Sequence, residues 1–242
     1  MYNNDYERWA GMELEDPALS AELTAIAGNE EEIKERFAVA LKFGTAGLRG
    51  VLGAGSNRMN IYVVRQATQG LANWVKTQGG NQLVAVSYDS RINSDVFAKE
   101  TAKVLAANGI KVRIYDALMP VPALSFATRY YEANAGVMVT ASHNPAKYNG
   151  YKAYGPDGCQ MTDDAANIVY AEIQNTDILT GAKIMSYHGG ERFHVHAVFK
   201  CHRCEGMAKV VEANMLAMRS FKHNAEAFGD RRGISRLSLF YG

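Results

Sequence analysis

The sequence lacks the features that mark membrane, secreted and nucleic-acid-binding proteins. No apolar run approaches the roughly 18 residues that a membrane-spanning helix needs. The net charge of +1 provides no basic surface for nucleic acid or for an anionic membrane. The first residues, Met1 to Glu7, show no basic segment followed by an apolar one, so no signal peptide is predicted. We therefore expect a cytoplasmic protein with no nucleic-acid partner and no membrane partner.

Cysteine is also scarce in this chain. Three cysteines cannot all pair with one another, and so low a count suits a reducing compartment. The rest of the composition, 48% hydrophobic and 21% charged, is that of a globular protein. A chain of 242 residues is long enough for one large domain or two small ones.

Strand-like and helix-like stretches alternate through the middle of the chain. Short β-branched runs predict strands at Leu83–Tyr88, Lys111–Tyr115 and Gly136–Thr140. Helices are predicted from Asn60 to about Gln78, from Ser94 to about Asn108, from Pro122 to about Tyr131, and at the N-terminus from about Ala18 to Lys42. This order implies crossover connections. The predicted fold class is therefore α/β: a three-layer α/β/α domain with a mixed, largely parallel sheet, N-terminal helices and an irregular or helical tail.

A polar loop, Thr140-Ala-Ser-His-Asn-Pro145, follows the last of these strands. Ser142 comes just after the strand end, where α/β folds place their chemistry. Pro145 donates no backbone hydrogen bond and biases Asn144 away from helix, so the loop is held open. A serine next to His143 on a stiff loop is a candidate nucleophile. From these six residues alone, an ordinary polar turn is an equally good interpretation.

Two further stretches carry candidate residues. Phe43-Gly-Thr-Ala-Gly-Leu-Arg-Gly50 is rich in glycine, which lets the backbone approach a ligand and leaves amides free for phosphate. Such a stretch is usually just a turn, but Arg49 adds a guanidinium that can clamp an oxyanion. After the serine loop, Asn149-Gly150 predicts a tight turn. The short strand Tyr151–Tyr154 then carries Lys152, and a lone lysine on a strand is usually a solvated charge.

Taken together, these motifs resemble the α-D-phosphohexomutase family. The ones that match, in this order, are Phe43–Gly50, Thr140–Pro145 and Tyr148-Asn-Gly-Tyr-Lys152, and the resemblance to the phosphoglucomutase/phosphopentomutase-like branch runs from about Phe43 to about Tyr187. It implies an isomerase of carbohydrate and glucose metabolism that acts on a small phosphosugar. In such an enzyme, phosphorylated Ser142 gives its phosphoryl group to a substrate hydroxyl and regains one from a sugar bisphosphate intermediate.

The resemblance also assigns roles to individual residues. The implied catalytic residues are Ser142, Lys152, His143 and Arg49. Lys152 would move the substrate proton, and desolvation or nearby cations would lower its pKa for that work. His143 would assist the site, or be purely structural. The implied substrate- and phosphate-binding residues are Thr45, Arg49, Ser142, His143, Asn144, Asp89 and Arg91. The pair Asp89 and Arg91 would support the serine loop, or form a plain turn with a surface ion pair.

The implied cofactors are Mg²⁺, bound through the phosphate on Ser142, and a sugar bisphosphate as activator. The family's full enzymes have four domains, and the second carries an Asp-Gly-Asp-x-Asp-Arg loop that holds Mg²⁺. This sequence contains no such loop, and its nearest string, Gly229-Asp-Arg-Arg-Gly233, has one acid. We therefore expect the first domain only, weak or inactive by itself. A choice between hexose and pentose substrates and the oligomeric state stay open.

The sequence divides into three segments: an N-terminal helical extension (1–42), the domain with the serine loop (43–187), and a tail unlike the family (188–242). The tail contains five of the 6 histidines and none of the 5 prolines. We hypothesise that it is shifted-frame or foreign sequence, or a truncated second domain. Reading the gene in both alternative frames after codon 187 tests the frame-shift version, which fails if neither frame restores family-like sequence.

Two alternative functions remain open at this stage. The tail carries His194-Val-His196 and Cys201-His-Arg-Cys204, which have zinc-like spacing, although no second cysteine pair completes a standard finger. The first alternative is therefore a metal-binding module formed by the tail. The second is a catalytically silent fragment that folds and binds phosphate.

Overall fold

The computed structural model of the chain describes residues 2–44 and 47–185, together with the backbone of residues 195 and 196. Its helices are α1 (Tyr2–Ala10), α2 (Pro17–Ala25), α3 (Glu30–Phe37), α4 (Ile61–Thr77), α5 (Ser94–Ala107), α6 (Val121–Tyr130) and α7 (Asp163–Gln174). Its strands are β1 (Gly47–Val51), β2 (Leu83–Tyr88), β3 (Lys111–Ile114), β4 (Ala135–Val139), β5 (Tyr148–Tyr154) and β6 (Val195–His196). Among the described helices, none has the length and apolarity that a bilayer crossing requires.

The strands form one mixed sheet in the order β1-β5-β4-β2-β3-β6. Strands β4, β2, β3 and β6 are parallel neighbours, whereas β5 runs antiparallel to both β4 and β1. The chain steps from β2 to β3 through α5 and returns past β2 to β4 through α6. Because such crossovers are right-handed, the two helices lie on opposite faces of the sheet. The predicted three-layer α/β/α fold with a mixed sheet is therefore confirmed.

The central strands and helix α4 follow directly from local sequence. Every residue of β2 and β4 is buried, as expected for apolar strands covered on both faces. Asn60 caps α4, because its Oδ1 accepts a hydrogen bond from the backbone N–H of Val63 at 3.0 Å. The apolar side of α4 is buried in the core, where α4 packs against α5 and α7.

The N-terminal helices share the hydrophobic core of the sheet domain. Within the predicted helical region, α2 and α3 are separated at Gly28, which has φ 78°, and α3 ends at Phe37 instead of near Lys42. Helix α1 had no sequence prediction. Its Trp9 is 2% exposed and makes edge contacts with the rings of Phe37 and Tyr62, the latter on α4.

The same helices hold the loop that follows β1. The Glu22 carboxylate accepts hydrogen bonds from the backbone N–H of Ala54 at 2.9 Å and from Arg36 Nη1 at 2.8 Å. The N–H of Leu52 in turn donates to the carbonyl of Lys147 at 2.9 Å, in the loop between β4 and β5. The N-terminal helices are thus connected by polar contacts to the loops around the candidate site.

Two glycine predictions were wrong. Asn149-Gly150 makes no turn but lies within β5, and Gly47–Val51 forms strand β1 instead of the second half of a loop. A Cβ on Gly150 would lie 2.6 Å from the carbonyl oxygen of Thr140 and 2.8 Å from that of Leu48. Glycine is needed at position 150 because three strands approach closely there. In the sequence alone, a glycine required by close packing looks the same as a glycine required by a turn.

The predicted irregular or helical tail is described at only two residues. Val195 and His196 form β6, parallel to β3, so at this point the backbone is a strand. The remainder of the tail lies outside the described residues. The predicted zinc-like cluster falls there as well, apart from the backbone of His196.

Candidate active site

Ser142 lies on the loop that joins β4 to β5, three residues after β4 ends. Its side chain is exposed, and its backbone has φ 56°, in the left-handed region. A non-glycine residue is held in that region only when its surroundings over-determine it, at a cost of about 1–3 kcal/mol. Here the N–H of Ser142 donates to Thr140 Oγ1 at 2.9 Å, and its carbonyl accepts from Arg91 Nη2 at 2.6 Å.

The Arg91 guanidinium holds the serine loop through four backbone carbonyls. Its Nη2 donates to Ser142 and Asn144, both at 2.6 Å, and its Nη1 donates to Pro145 at 3.2 Å and Tyr148 at 3.0 Å. The side chain is 13% exposed. Since the N–H groups of both terminal nitrogens face the loop, Arg91 fixes the course of residues 142–148.

The Asp89 carboxylate connects this loop to the end of β2. Its Oδ2 accepts from Thr140 Oγ1 at 2.6 Å and lies 3.7 Å from Arg91 Nε. Its Oδ1 accepts from Ser94 Oγ at 2.9 Å and from the backbone N–H of Arg91 at 3.0 Å. Both carboxylate oxygens are therefore engaged within the protein.

A buried amide, Asn149 on β5, completes the same network. Its Nδ2 donates to the carbonyl of Ile92 at 2.9 Å and to Ser94 Oγ at 3.0 Å. Sequence reasoning missed Asn149, Ser94 and Thr140 as site residues. Their positions in the sequence could have identified them, since each is a small polar residue near the end of a predicted strand or helix and close to Asp89 or Ser142.

Arg49 and Lys152 project from one face of the sheet next to the serine loop. Arg49 on β1 is opposite Gly150 on β5, and Lys152 is two residues further along β5, so the strand alternation places both side chains on the same face. Arg49 Nη1 donates to Asn144 Oδ1 at 2.9 Å. The guanidinium therefore lies beside the loop of Ser142.

Lys152 is partly buried, and its ammonium forms no hydrogen bond or ion pair within the described part of the chain. Burial lowers the pKa of its ammonium, and the positive charge of Arg49 lowers it further, while the charge of Asp89 opposes the shift. Burial and the charge of Arg49 therefore both favour the neutral amine of Lys152, which is the form that can accept a proton.

The remaining predicted residues differ in their placement. His143 is exposed on the loop, and no bond joins its side chain to another described residue. Asn144 bridges the two arginines, since its side chain accepts from Arg49 and its carbonyl from Arg91. Thr45 lies outside the described residues. The fold thus brings together every predicted site residue that it describes.

The described residues do not form a metal site. No group of three or more Asp, Glu, His or Cys side chains able to hold an ion is present among them. Asp89, the carboxylate of the site, already has both oxygens bonded to Thr140, Ser94 and Arg91. Mg²⁺ bound to a phosphate on Ser142 would need its other ligands from elsewhere.

Comparison with known proteins identifies relatives over the sheet domain. The sequence profile described as "Phosphoglucomutase/phosphomannomutase, alpha/beta/alpha domain I" matches residues 40–179, a range that contains all the predicted site residues. Residues 188–242 lie beyond the match.

Curated relatives and a solved structure agree with this profile. The phosphoglucomutase of Staphylococcus haemolyticus is 42% identical over 142 residues, which cover 59% of this chain and 26% of the relative. That of Staphylococcus epidermidis is 45% identical over 136 residues, 56% of this chain and 25% of the relative. A solved structure from Thermus thermophilus, described as a phosphomannomutase, is 32% identical with a TM-score of 0.52, over 56% of this chain and 30% of that one. The chain spans about a quarter of the length of the curated relatives.

Proposed function

Because this chain belongs to the phosphoglucomutase/phosphomannomutase family through its α/β/α domain I, we propose that it takes part in a phosphosugar mutase reaction in which Ser142 carries the phosphoryl group. The observation that supports this most directly is the hydrogen bond between Arg49 and Asn144. It places a guanidinium at the loop of an exposed serine, with the partly buried amine of Lys152 on the same face of the sheet. Phosphoryl transfer depends on such positioning and charge neutralisation.

In the first half of the proposed cycle, phosphorylated Ser142 phosphorylates a sugar monophosphate. A P–O bond to the sugar oxygen forms while the bond between phosphorus and Ser142 Oγ breaks. The proton of the sugar hydroxyl passes to the neutral Nζ of Lys152 and from there to Oγ. The products are a sugar bisphosphate and an unmodified serine, so atoms and protons balance.

In the second half, the bisphosphate gives its other phosphoryl group back to Ser142. The proton of Oγ passes to Nζ of Lys152 and then to the sugar oxygen that the phosphorus leaves. The net result is an isomerised sugar monophosphate and a phosphoserine ready for the next cycle. A sugar bisphosphate added from solution serves as the activator, because it supplies the first phosphoryl group.

The site residues divide into two roles in this proposal. Arg49 neutralises phosphoryl oxygens, and His143, exposed next to Ser142, contacts the substrate. Thr45 keeps its sequence-based assignment to phosphate binding. Arg91 and Asp89 are instead assigned to holding the loop, since their hydrogen-bonding groups are already taken by protein partners.

The chain alone is proposed to turn over weakly or not at all. Mg²⁺ on the phosphate of Ser142 would supply charge compensation of several kcal/mol, but the described residues offer no donor set for it. No step above is therefore assigned to the metal. A purified sample that isomerises glucose phosphate at ordinary phosphoglucomutase rates would contradict this proposal.

Phosphorylation of Ser142 is the experiment that tests the function. The full chain is incubated with glucose 1,6-bisphosphate, and the product is analysed by intact mass and peptide mapping. We expect one phosphate on Ser142, none in Ser142→Ala, and a normal yield in Ser125→Ala, a control serine on α6. Arg49→Ala is expected to slow the labelling. Labelling needs one transfer and no repeated turnover, so no phosphate on the wild-type chain after prolonged incubation would overturn the proposed role of Ser142 and favour a catalytically silent fragment.

A further inference from the structure

We infer that Thr140 and Asp89 are positioning residues that hold the backbone of Ser142 in its left-handed conformation. This inference deepens the proposed function and rests on it. Thr140 has no predicted role, and Asp89 was expected to bind substrate or phosphate and, with Arg91, to support the serine loop or form a plain turn. Their hydrogen bonds specify how this support works, because they lead to the two peptide groups of Ser142.

The direction of each hydrogen bond follows from the groups involved. A carboxylate only accepts, so the hydroxyl of Thr140 donates its one proton to Asp89 Oδ2, at 2.6 Å. The oxygen of that hydroxyl is then left to accept the N–H of Ser142, at 2.9 Å. The backbone N–H of Ser142 is therefore hydrogen-bonded within the loop. It is not one of the free amides that a phosphate-binding loop presents.

The other peptide group of Ser142 is held through the same carboxylate. Its carbonyl accepts from Arg91 Nη2 at 2.6 Å, and Arg91 Nε lies 3.7 Å from Asp89 Oδ2. One carboxylate thus fixes the two side chains that hold the peptide groups on either side of the nucleophile. Without this double restraint, Ser142 would relax from φ 56° to an ordinary backbone region, and its Oγ would change direction relative to Arg49.

Amide hydrogen exchange of Ser142, measured by NMR on the full chain, tests the inference without any phosphate chemistry. Thr140→Val removes the hydroxyl while keeping the shape, and Thr140→Ser retains it. We expect Thr140→Val to speed exchange of the Ser142 amide by roughly three- to tenfold, the effect of one ordinary hydrogen bond. Thr140→Ser should stay near wild type. Equal exchange in Thr140→Val and wild type would overturn the inference.

Two more variants separate a local effect from general damage. Thr101→Val removes a buried hydroxyl on α5 that is bonded to the carbonyl of Phe97, and it should leave the Ser142 amide unchanged. Asp89→Asn keeps the shape but replaces one acceptor oxygen by a donor group, and it should speed exchange of the same amide. If Thr140→Val does not fold, this second variant decides. Normal protection in a folded Asp89→Asn chain would overturn the role of the carboxylate.

The rate of Ser142 labelling by glucose 1,6-bisphosphate then connects position to chemistry. We expect Thr140→Val to slow labelling at least tenfold and Thr140→Ser to restore most of the rate. Labelling of Thr140→Val at the wild-type rate, despite a fast-exchanging amide, would show that the restraint does not serve phosphoryl transfer. If the wild-type chain is never labelled, the proposed function fails, while the exchange data still decide whether Thr140 and Asp89 hold the backbone.

Discussion

Replacing Arg91 with lysine isolates the geometry of the serine loop from its charge. Lysine keeps the positive charge beside Asp89 but presents its donors from a single nitrogen, whereas the guanidinium spans four carbonyls at 2.6 to 3.2 Å. We expect the ammonium to keep one or two of these partners. The loop of residues 142–148 should therefore lose its fixed course while the electrostatics of the site change little.

The size of the effect follows from the lost hydrogen bonds. A net hydrogen bond contributes roughly 1 kcal/mol, and bonds from a charged donor somewhat more. The loss of two or three of them gives about 2–4 kcal/mol. Because the loop is at the surface and water can reach its carbonyls, we expect the low end, about 2 kcal/mol.

Denaturant unfolding of Arg91→Lys measures this loss, with Arg129→Lys as the matched control. Arg129 is an exposed arginine on α6 whose Nε donates to the carbonyl of Ser125 at 3.3 Å, so its replacement should cost less than about 0.5 kcal/mol. If Arg91→Lys unfolds within about 0.5 kcal/mol of wild type and the amides of the loop exchange normally, the four-carbonyl clamp does not hold the loop.

Three further substitutions test other parts of the structure. Gly150→Ala should destabilise by about 2–3 kcal/mol, measured by urea unfolding, because its Cβ would meet backbone oxygens at 2.6 and 2.8 Å. Lys152→Met should raise stability at neutral pH, because the folded state lowers the pKa of the ammonium. As pH rises through that lowered pKa toward the ordinary 10.5, wild type recovers and the gain disappears in pH-dependent unfolding. Arg65→Met should cost about 2 kcal/mol, because Glu100, 7% exposed, loses its 2.6 Å charged partner and keeps Lys103 at 2.5 Å. Adding Glu100→Leu should recover part of that loss.

Each of these predictions has a control that the chain itself provides. Gly44→Ala meets no atom closer than 4.0 Å, so a loss as large as that of Gly150→Ala would refute the close-approach argument. Lys111→Met, at an exposed position on β3, should show no comparable pH dependence. For the buried pair, a double variant that is no more stable than Arg65→Met would contradict the claim that Glu100, left with Lys103 as its ion-pair partner, causes part of the damage.

The parts of the fold that were predictable depend on local signals. The apolar runs of β2 and β4 and the cap at Asn60 lie within a few residues of the structure they specify. Strands β1, which holds the end of the glycine stretch, and β5, which follows the serine loop, depend on pairing over long sequence distances. Gly47 is opposite Lys152 in the sheet, and nothing near either residue encodes that pairing. The same glycines were therefore taken for a loop and a turn.

The candidate site divides in the same way. Ser142, Arg49 and Lys152 could be proposed as site residues because each lies in a short motif that can be read along the chain. Thr140 and Asn149 were missed because their function depends on partners 51 and 55 residues away, Asp89 and Ser94. The proposed reacting groups lie in motifs of the linear sequence, whereas the residues that hold them can be identified only from the contacts between distant strand ends.

In this chain, the residues that match the family and the residues that the fold needs for its contacts are not the same range, because the N-terminal helices lie outside the match. The family match begins at residue 40, yet the ring of Trp9 packs edge-on against Tyr62 on α4, and Glu22 holds the loop after the strand of Arg49. A fragment trimmed to the matched range would expose this apolar surface and release the loop that follows β1. Sequence similarity identifies the residues that share an evolutionary origin with the family, but the contacts determine which residues a stable fragment has to contain.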